Sequence, residues 1–352
     1  MEQLTTKRVE YIDALRGFTM ILVIYYHIAS YSFGNENMAF NNVIEKFRMP
    51  TFFFISGWVF FKAQRVWDTS TIKSILQKKF MVQIIPFLFF MLLYLYVFDF
   101  LDFSSFGSDK KGYWFTYVLF EYFVLYILVE SVFNRHNTAR GEIGVLLSIL
   151  TISIIAFYYA RFYNRYSTEL GSWKTILGLF SFVKIRHFIF FWFGTFVRRH
   201  FDTFVRITDN QYFIAFIIGL YFIMTLNPVV YSINGLDYMT YLLTGCTGII
   251  IKFTFFRKKA NIFKQETRIG KTLQYIGKRT LDIYLLHYFI IPYNLHYIGD
   301  WLLQNDNKTF DMLITLFLAL WIIALSLLLS NVIRLSPYLA HYLFGAPKNR
   351  ES

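Results

Sequence analysis

Cysteine and charged residues are scarce in this chain, and several familiar catalytic motifs are missing from it. Its single cysteine, Cys246, excludes an intramolecular disulfide and any cysteine-ligated metal site. Charged residues make up 16% of the chain, whereas a soluble globular domain carries about 25%. We find no phosphate-binding glycine loop, no serine nucleophile elbow and no clustered His/Asp/Glu ligand spacing. We therefore expect neither a metal site nor a serine nucleophile.

Apolar residues dominate what is present. Hydrophobic residues make up 56% of the 352 residues and aromatic residues 22%, with 43 phenylalanines. Long apolar runs recur along the whole chain, and no polar stretch is long enough to bury a core of its own. The sequence predicts an all-α integral membrane protein with about ten transmembrane helices. The predicted spans are about 14–33, 48–64, 80–98, 114–133, 142–160, 186–198, 212–226, 238–256, 280–299 and 312–334.

The basic residues indicate how these spans are oriented. With both termini in the cytoplasm, the cytoplasmic connections carry roughly twice as many Lys and Arg residues as the external ones. The net charge of +13 is then explained by membrane topology and anionic ligands, and we expect no nucleic-acid partner. We predict one transmembrane domain over 1–352, with a core at about 11–335 and a short cytoplasmic tail at 336–352.

Arg16 and His27 share one face of the first predicted span. Eleven positions at about 100° each make three turns plus roughly 20°, and they separate the two side chains by about 16 Å along the helix axis. Ionisable residues inside a span are costly, so they are functional-site candidates by default. This spacing places the guanidinium near one membrane surface and the imidazole near the middle of the bilayer.

Several segments resemble the acyltransferase-3 family of membrane acyltransferases. The family's mark is an Arg and a His with ten residues between them in the first helix, and here it is Asp13-Ala-Leu-Arg16-Gly17 with His27. Four further segments agree in order: Arg48-Met-Pro50 to Ser56-Gly57, Tyr113-Trp114-Phe115, Phe191-Trp-Phe-Gly194 with Arg198-Arg199, and Tyr284-Leu-Leu-His287.

This resemblance implies a function. It predicts an O-acyltransferase that moves an acetyl or other short acyl group from acyl-CoA to a hydroxyl of a cell-envelope glycan or lipid-linked sugar. Acyl-CoA, with acetyl-CoA first, is then a co-substrate and no cofactor is bound. The implied location is the bacterial cytoplasmic (inner) membrane. Arg16 would bind the donor, and His27 would act as general base or acyl relay.

Each of these first-span residues also has a simpler interpretation. His27 could be a core histidine bonded to a neighbouring helix. Arg16 could snorkel to the cytoplasmic surface. Asp13 either holds Arg16 in place from one turn away or caps the start of the helix. Arg48, just before Pro50 at the predicted outer end of the second span, either contacts a ligand or anchors the headgroup boundary.

Five more residues are candidates for donor or acceptor binding. Glu121 lies about two turns inside the fourth span, where a lipid-facing carboxylate is improbable. It could bond a sugar hydroxyl, orient an imidazole or pair with an arginine such as Arg48. The others are Trp114 at the start of that span, His187 at the outer edge of the sixth, and Tyr284 with His287, which share a face of the ninth.

A function of a different class stays open at this point. A multi-pass transporter or flippase could use His27 and Glu121 for proton coupling, and a membrane scaffold would need no chemistry at all. Transfer or hydrolysis of acyl-CoA by the purified protein would separate the enzyme from both alternatives.

Overall fold

The structure is a computed structural model, and it describes residues 9–35, 38, 40–63, 65–98, 110–134, 138–166, 178, 180–226, 237–305 and 307–347. Helices account for nearly all of them, and these ranges contain no β-strand. The α-helices are α1 Glu10–His27, α2 Asn41–Phe60, α3 Thr69–Lys79, α4 Ile85–Phe98, α5 Trp114–Phe133, α6 Ala139–Tyr166, α7 Phe188–Arg199, α8 Phe201–Asp209, α9 Gln211–Leu226, α10 Asp237–Lys258, α11 Arg268–Lys278, α12 Thr280–Leu286, α13 His296–Gln304, α14 Lys308–Ile333 and α15 Pro337–Phe344.

Short π-helical and 3-10 turns connect some of these helices without a break. A π-helical turn, Ile28–Ser32, extends α1, and a second one, Phe80–Ile84, joins α3 to α4. The 3-10 turns are Lys110–Gly112, Phe182–His187, Ala260–Phe263 and His287–Phe289.

Six helices within the described ranges are long and apolar enough to cross a membrane. They are α1 with its π-helical turn, the continuous α3–α4 helix of 30 residues, α5, α6, α10 and α14. The count rises to seven if α8 and α9, which meet at an angle of 85°, form one broken span. The protein is therefore a multi-pass membrane protein, as the sequence predicts.

Three of the remaining predicted spans differ from the helices observed, in where they begin, in length or in continuity. The second corresponds to α2, which begins at Asn41 and so runs through Pro50 rather than starting there. The sixth corresponds to α7, which has 12 residues, whereas a perpendicular crossing needs about 20. The ninth, 280–299, is broken between α12 and α13, where Pro292 lacks the N–H that a continuing helix would need.

The chain folds into two compact units. Unit 1 comprises 1–55 and 200–329, and unit 2 comprises 56–199 and 330–352. In unit 1, α1 packs along α11, and two glycines permit a close crossing. A Cβ atom on Gly17 would overlap the carbonyl of Leu273, and one on Gly277 would overlap the carbonyl of Asp13.

Unit 2 has an aromatic core around α7. A Cβ atom on Gly57 would overlap the carbonyl of Phe191, so the Ser-Gly end of α2 serves close packing against α7. The ring of Phe191 lies 5.3 Å from that of Phe123 and 5.6 Å from that of Tyr126, centroid to centroid. Aromatic pairs at such distances add to the stabilisation that burial gives.

A buried carboxylate closes this core at the far end of α5. Glu130 accepts hydrogen bonds from Tyr126 (2.7 Å), Asn134 (2.9 Å) and Arg199 (2.7 Å), and Arg199 also pairs with Glu142 at 3.2 Å. Because both Glu130 oxygens have donors, this carboxylate stabilises the joint between α5 and α7.

Two short features of unit 2 lie outside the long apolar helices. The predicted tail contains α15, whose Phe344 ring stacks on Phe90 of α4 at 6.1 Å. Asp68 caps α3, and hydrogen bonds from Thr71 and Ser70 lower the pKa of its carboxyl below the ordinary value. This cap is fully formed once the carboxyl is ionised and is lost as the pH falls through its pKa.

Candidate functional site

His27 is the last residue of α1, at the point where the α-helix becomes the π-helical turn Ile28–Ser32. Such turns change the direction of the side chains that follow and are frequent at functional sites. Here the turn brings the Tyr31 ring against the His27 ring, with centroids 5.1 Å apart. His27 is 9% exposed, so its imidazole is largely shielded from solvent.

A second histidine meets His27 from 260 residues further along the chain. Nδ1 of His27 lies 2.8 Å from Nε2 of His287, and the two rings are nearly parallel, with an interplanar angle of 7°. His287 is fully buried and lies in the 3-10 turn after α12. The sequence indicates His287 only as a separate candidate, and the structure brings it to His27.

The hydrogen bonds assign the protons on both rings. Nδ1 of His287 lies 3.0 Å from the carbonyl oxygen of Ile283, which can only accept, so that nitrogen carries its proton. In the neutral ring Nε2 of His287 is then an acceptor, and Nδ1 of His27 must donate to it. This leaves the lone pair on Nε2 of His27, the form that a general base needs.

Tyr284 belongs to the same buried turn. It is 7% exposed, and its ring centroid lies 6.1 Å from that of His287. Asp282, on the same helix, accepts a hydrogen bond from Arg279 at 3.1 Å. The carboxylate of Asp282 is thus committed away from the histidine pair.

Arg16 contacts the start of α12, the helix that ends directly before His287. Its Nη2 donates to Oγ1 of Thr280, the first residue of α12, at 3.2 Å. Asp13 is buried in the first turn of α1, but the helix is capped at Val9 without a side-chain bond, so the N-cap interpretation of Asp13 is wrong. The segment from the end of α10 through α11, which packs against α1, is rich in basic residues: Lys258, Lys259, Lys264, Arg268, Lys271, Lys278 and Arg279.

Arg48 lies in the middle of α2, on the helical turn that contains Pro50. Its guanidinium carbon is 3.5 Å from the centroid of the Tyr26 ring, and Tyr26 is the neighbour of His27 on α1. Arg48 is 9% exposed, so it is not a headgroup anchor at the end of a helix. The predicted candidate Arg48 therefore lies near His27, with the Tyr26 ring between them.

Unit 2 brings Trp114 and His187 together. Their rings are stacked with centroids 6.5 Å apart, and Nζ of Lys184 lies 4.7 Å from the Trp114 centroid. The start of α5 and the 3-10 turn before α7 supply these side chains. An indole face beside a cation and an imidazole is a surface on which a sugar ring can stack.

Glu121 lies two turns further along α5. Its Oε2 is shielded from solvent and has no hydrogen-bond partner among the residues the structure describes. Lys110 interacts with Glu121 through its charge; it is 1% exposed and donates to the carbonyl of Gly178 and to Oγ of Ser181, both at 2.8 Å. Glu121 therefore keeps an oxygen available for a hydroxyl ligand.

The sequence prediction does not include two lysines, the buried Lys110 and the half-buried Lys252. Lys252, inside α10, donates to Thr51 and to the carbonyl of Phe47 (3.3 Å) on α2, and it lies 3.8 Å from the Phe47 ring centroid. A lysine within the apolar run of α10 is itself a signal for a functional or structural contact. Lys110 gives no such signal, because it lies next to Lys111 in a polar loop.

The same side chains do not form a metal site. Across the ranges that the structure covers, no three His, Cys, Asp or Glu side chains come together in a way that could hold a metal ion.

Comparison with known proteins identifies the family. Residues 9–331 match the acyltransferase domain of the acyltransferase-3 family, nearly the whole chain. Neither the curated proteins nor the solved structures include a significant match. The matched range contains Arg16, His27 and His287, and the resemblance seen in the sequence is confirmed. The chain belongs to the acyltransferase-3 family of membrane acyltransferases.

Proposed function

We propose that this protein is an O-acyltransferase that transfers an acetyl or other short acyl group from acyl-CoA to a hydroxyl of a cell-envelope glycan or lipid-linked sugar. The observation that carries the proposal is the hydrogen bond between His27 and His287. It fixes the tautomer in which Nε2 of His27 can accept a proton. Membership of the family favours this enzyme over a transporter or flippase that uses the same histidine.

The reaction follows from that tautomer. A sugar hydroxyl is a weak nucleophile at neutral pH, so its attack on a thioester needs removal of its proton. Nε2 of His27 takes the proton while the new C–O bond forms. As the C–S bond breaks, the imidazolium returns the proton to the thiolate of the leaving coenzyme. While His27 is protonated, its Nδ1–H group keeps donating to Nε2 of His287, which stabilises the imidazolium.

The donor would approach from the Arg16 end of α1. The basic segment that includes Lys271 and Lys278 offers contacts for the phosphates of acyl-CoA, and guanidinium groups match phosphate oxygens well. Arg16 and His27 are about 16 Å apart, a distance that the extended pantetheine arm can bridge. In this arrangement Arg16 guides the donor and holds α12 through Thr280.

Within unit 2, the Trp114 surface is a candidate contact for a sugar ring. Apolar sugar faces pack on indole rings, while Glu121 and His187 provide an acceptor and a donor for hydroxyl groups.

We also propose ten spans with both termini in the cytoplasm of a bacterial inner-membrane protein. Besides the six long helices, these are α2, α7, the bent α8–α9 pair and the broken segment α12–α13.

The experiment that tests this function uses the purified protein in detergent. Release of free coenzyme thiol from acetyl-CoA should occur with the wild type and fall at least about 10²-fold in His27→Gln, because an amide cannot accept the proton. His341→Gln, a histidine of α15 in unit 2, is the matched control and should keep wild-type turnover. A His27→Gln protein that retains more than about a tenth of the rate would rule out the general base.

The acceptor needs a separate measurement. Mass spectrometry of envelope glycans from cells with and without the gene should show one acyl group lost per acceptor site. Unchanged glycans and lipid-linked sugars, together with active acyl-CoA turnover in detergent, would assign the acyl group to another hydroxyl acceptor.

A further inference from the structure

Arg48 holds a buried positive charge that the reaction described so far does not use. The side chain is 9% exposed, and its Nε and Nη1 atoms are shielded from solvent without a hydrogen-bond partner among the described residues. A buried guanidinium with unmade hydrogen bonds is energetically costly to the folded protein. A structure retains such a group where a ligand, or a transient charge, completes its bonds.

The surroundings of Arg48 leave those two donors available. Its guanidinium carbon lies 3.5 Å from the Tyr26 ring centroid, and the side chain of Tyr26 also hydrogen-bonds to the group, which leaves Nε and Nη1 unused. Glu45, one turn earlier on α2, is exposed and interacts with Arg48 through its charge. Lys252 contacts the adjacent turn of α2 through Phe47 and Thr51, which fixes the backbone that carries Arg48.

Arg48 is also linked to the proposed base through Tyr26. Tyr26 precedes His27 on α1, and the two rings lie 5.8 Å apart, centroid to centroid. The charge of Arg48 is near enough to His27 to interact with it. The Arg48 guanidinium therefore lies against the ring that neighbours His27.

We propose that Arg48 is a catalytic residue that donates hydrogen bonds to the carbonyl oxygen of the acyl group as that oxygen becomes negative. This inference rests on the proposed function. When the hydroxyl oxygen bonds to the carbonyl carbon, the π pair moves onto the carbonyl oxygen and His27 takes the hydroxyl proton. When the C=O bond re-forms, the C–S bond breaks and His27 protonates the sulfur. The oxyanion exists only between these two steps, so Arg48 stabilises it selectively.

The test compares acyl transfer with hydrolysis, because water as acceptor forms the same oxyanion without any sugar. Arg48→Met should lower kcat for both reactions by about 10²–10³-fold, the usual loss for one oxyanion donor, while the Kd for acyl-CoA stays within about twofold. Arg48→Lys should recover part of the loss. Lys46→Gln is the matched control, since it removes a charge two residues away on α2, and it should keep the wild-type kcat.

Three outcomes would overturn the proposal. If Arg48→Met leaves hydrolysis unchanged and only raises the KM for a charged acceptor, Arg48 is a binding site for an acceptor anion. If acyl-CoA binding weakens by as large a factor as kcat falls, Arg48 is a contact for the acyl donor. Wild-type kcat in both reactions would leave it a structural residue. A wild-type protein that neither transfers nor hydrolyses acyl-CoA would instead defeat the proposed function itself.

A second measurement includes a wild-type comparison that does not depend on how well the variants fold. A phosphonate analogue of acyl-CoA carries a tetrahedral centre with a negative oxygen and so imitates the intermediate. It should bind the wild type at least about 10²-fold more tightly than acyl-CoA does. This advantage should disappear in Arg48→Met and persist in Lys46→Gln. Equal wild-type affinity for the analogue and for acyl-CoA would contradict an oxyanion site.

Discussion

At the scale of single residues, the proposed mechanism depends on a histidine that positions another. His287 has no access to solvent, and both of its ring nitrogens are engaged, one with Ile283 and one with His27. Its contribution is therefore to hold the tautomer and the ring plane of His27. The same logic holds wherever a buried acceptor orients a catalytic imidazole.

This role gives a prediction for His287. The variant His287→Phe preserves the ring but removes the acceptor, so His27 can lose its productive tautomer, and kcat should fall between about tenfold and 10⁴-fold. The variant His287→Gln retains an amide oxygen that can accept from Nδ1 of His27 and should recover part of the rate. The KM for acyl-CoA should not move in either variant. If His287→Phe and His287→Gln lose kcat equally and both have lower thermal stability, the role of His287 is purely structural.

Arg16 can act on the donor or on α12, and two variants distinguish these roles. Arg16→Ala should raise the Kd for acyl-CoA about 10- to 100-fold if a charge-assisted phosphate contact is lost. Thr280→Val removes the hydrogen-bond partner at 3.2 Å but keeps the guanidinium, so the Kd should change little. Measured by equilibrium binding in detergent, a Thr280→Val effect as large as that of Arg16→Ala would show that Arg16 acts by holding α12.

At the scale of elements, the crossing of α1 and α11 sets the register of the site. Gly17 and Gly277 allow the two backbones to touch, directly beside Asp13 and Arg16. Because α12 follows α11 after one residue, this crossing also fixes where α12 begins and hence where His287 lies. The glycines are therefore part of the path from sequence to site.

Substitution of these glycines should be costly. A Cβ atom in Gly17→Ala or Gly277→Ala would overlap a backbone carbonyl, and overpacking of this kind costs about 1–3 kcal/mol. Both variants should melt at lower temperature in detergent and lose activity. Gly219→Ala in α9 is the control, because nothing lies within 4 Å of its added Cβ, and it should be neutral or slightly stabilising. Wild-type melting of Gly17→Ala would mean that the helices separate easily.

The sequence predicts some of these elements and misses others. Apolar runs locate α5, α6, α10 and α14 to within a few residues, since burial in lipid requires them. The start of α2 escapes prediction because Asn41 to Phe47 is a mixed polar segment. The break near Pro292 escapes it because mean hydropathy averages over the whole run.

The candidate site is predictable in its first half only. Arg16 and His27 follow from helical geometry, because they share one face of one helix. The hydrogen bond between His27 and His287 joins positions 260 residues apart, and local patterns hold no information about such a contact. The burial of Arg48 likewise depends on Tyr26, a residue of another helix.

At the scale of the whole molecule, the family domain covers residues from both units. The match over 9–331 includes the histidine pair of unit 1 and the Trp114–His187 surface of unit 2. Neither unit alone contains all the predicted site residues. We therefore expect that truncation at Arg199, which removes His287, abolishes turnover even if the remaining helices insert.

The orientation of the whole chain can be tested because it has only one cysteine. In a Cys246→Ala background, single cysteines at exposed positions report the side of the membrane on which they lie. With both termini cytoplasmic, Asn307→Cys should react with a membrane-impermeant maleimide in intact spheroplasts, whereas Thr138→Cys and Gln265→Cys should react only after lysis. All three side chains are exposed in the structure, so none should fail to react for steric reasons. Labelling of Thr138→Cys or Gln265→Cys in sealed spheroplasts would reverse the proposed topology, and with it the side from which the donor reaches Arg16.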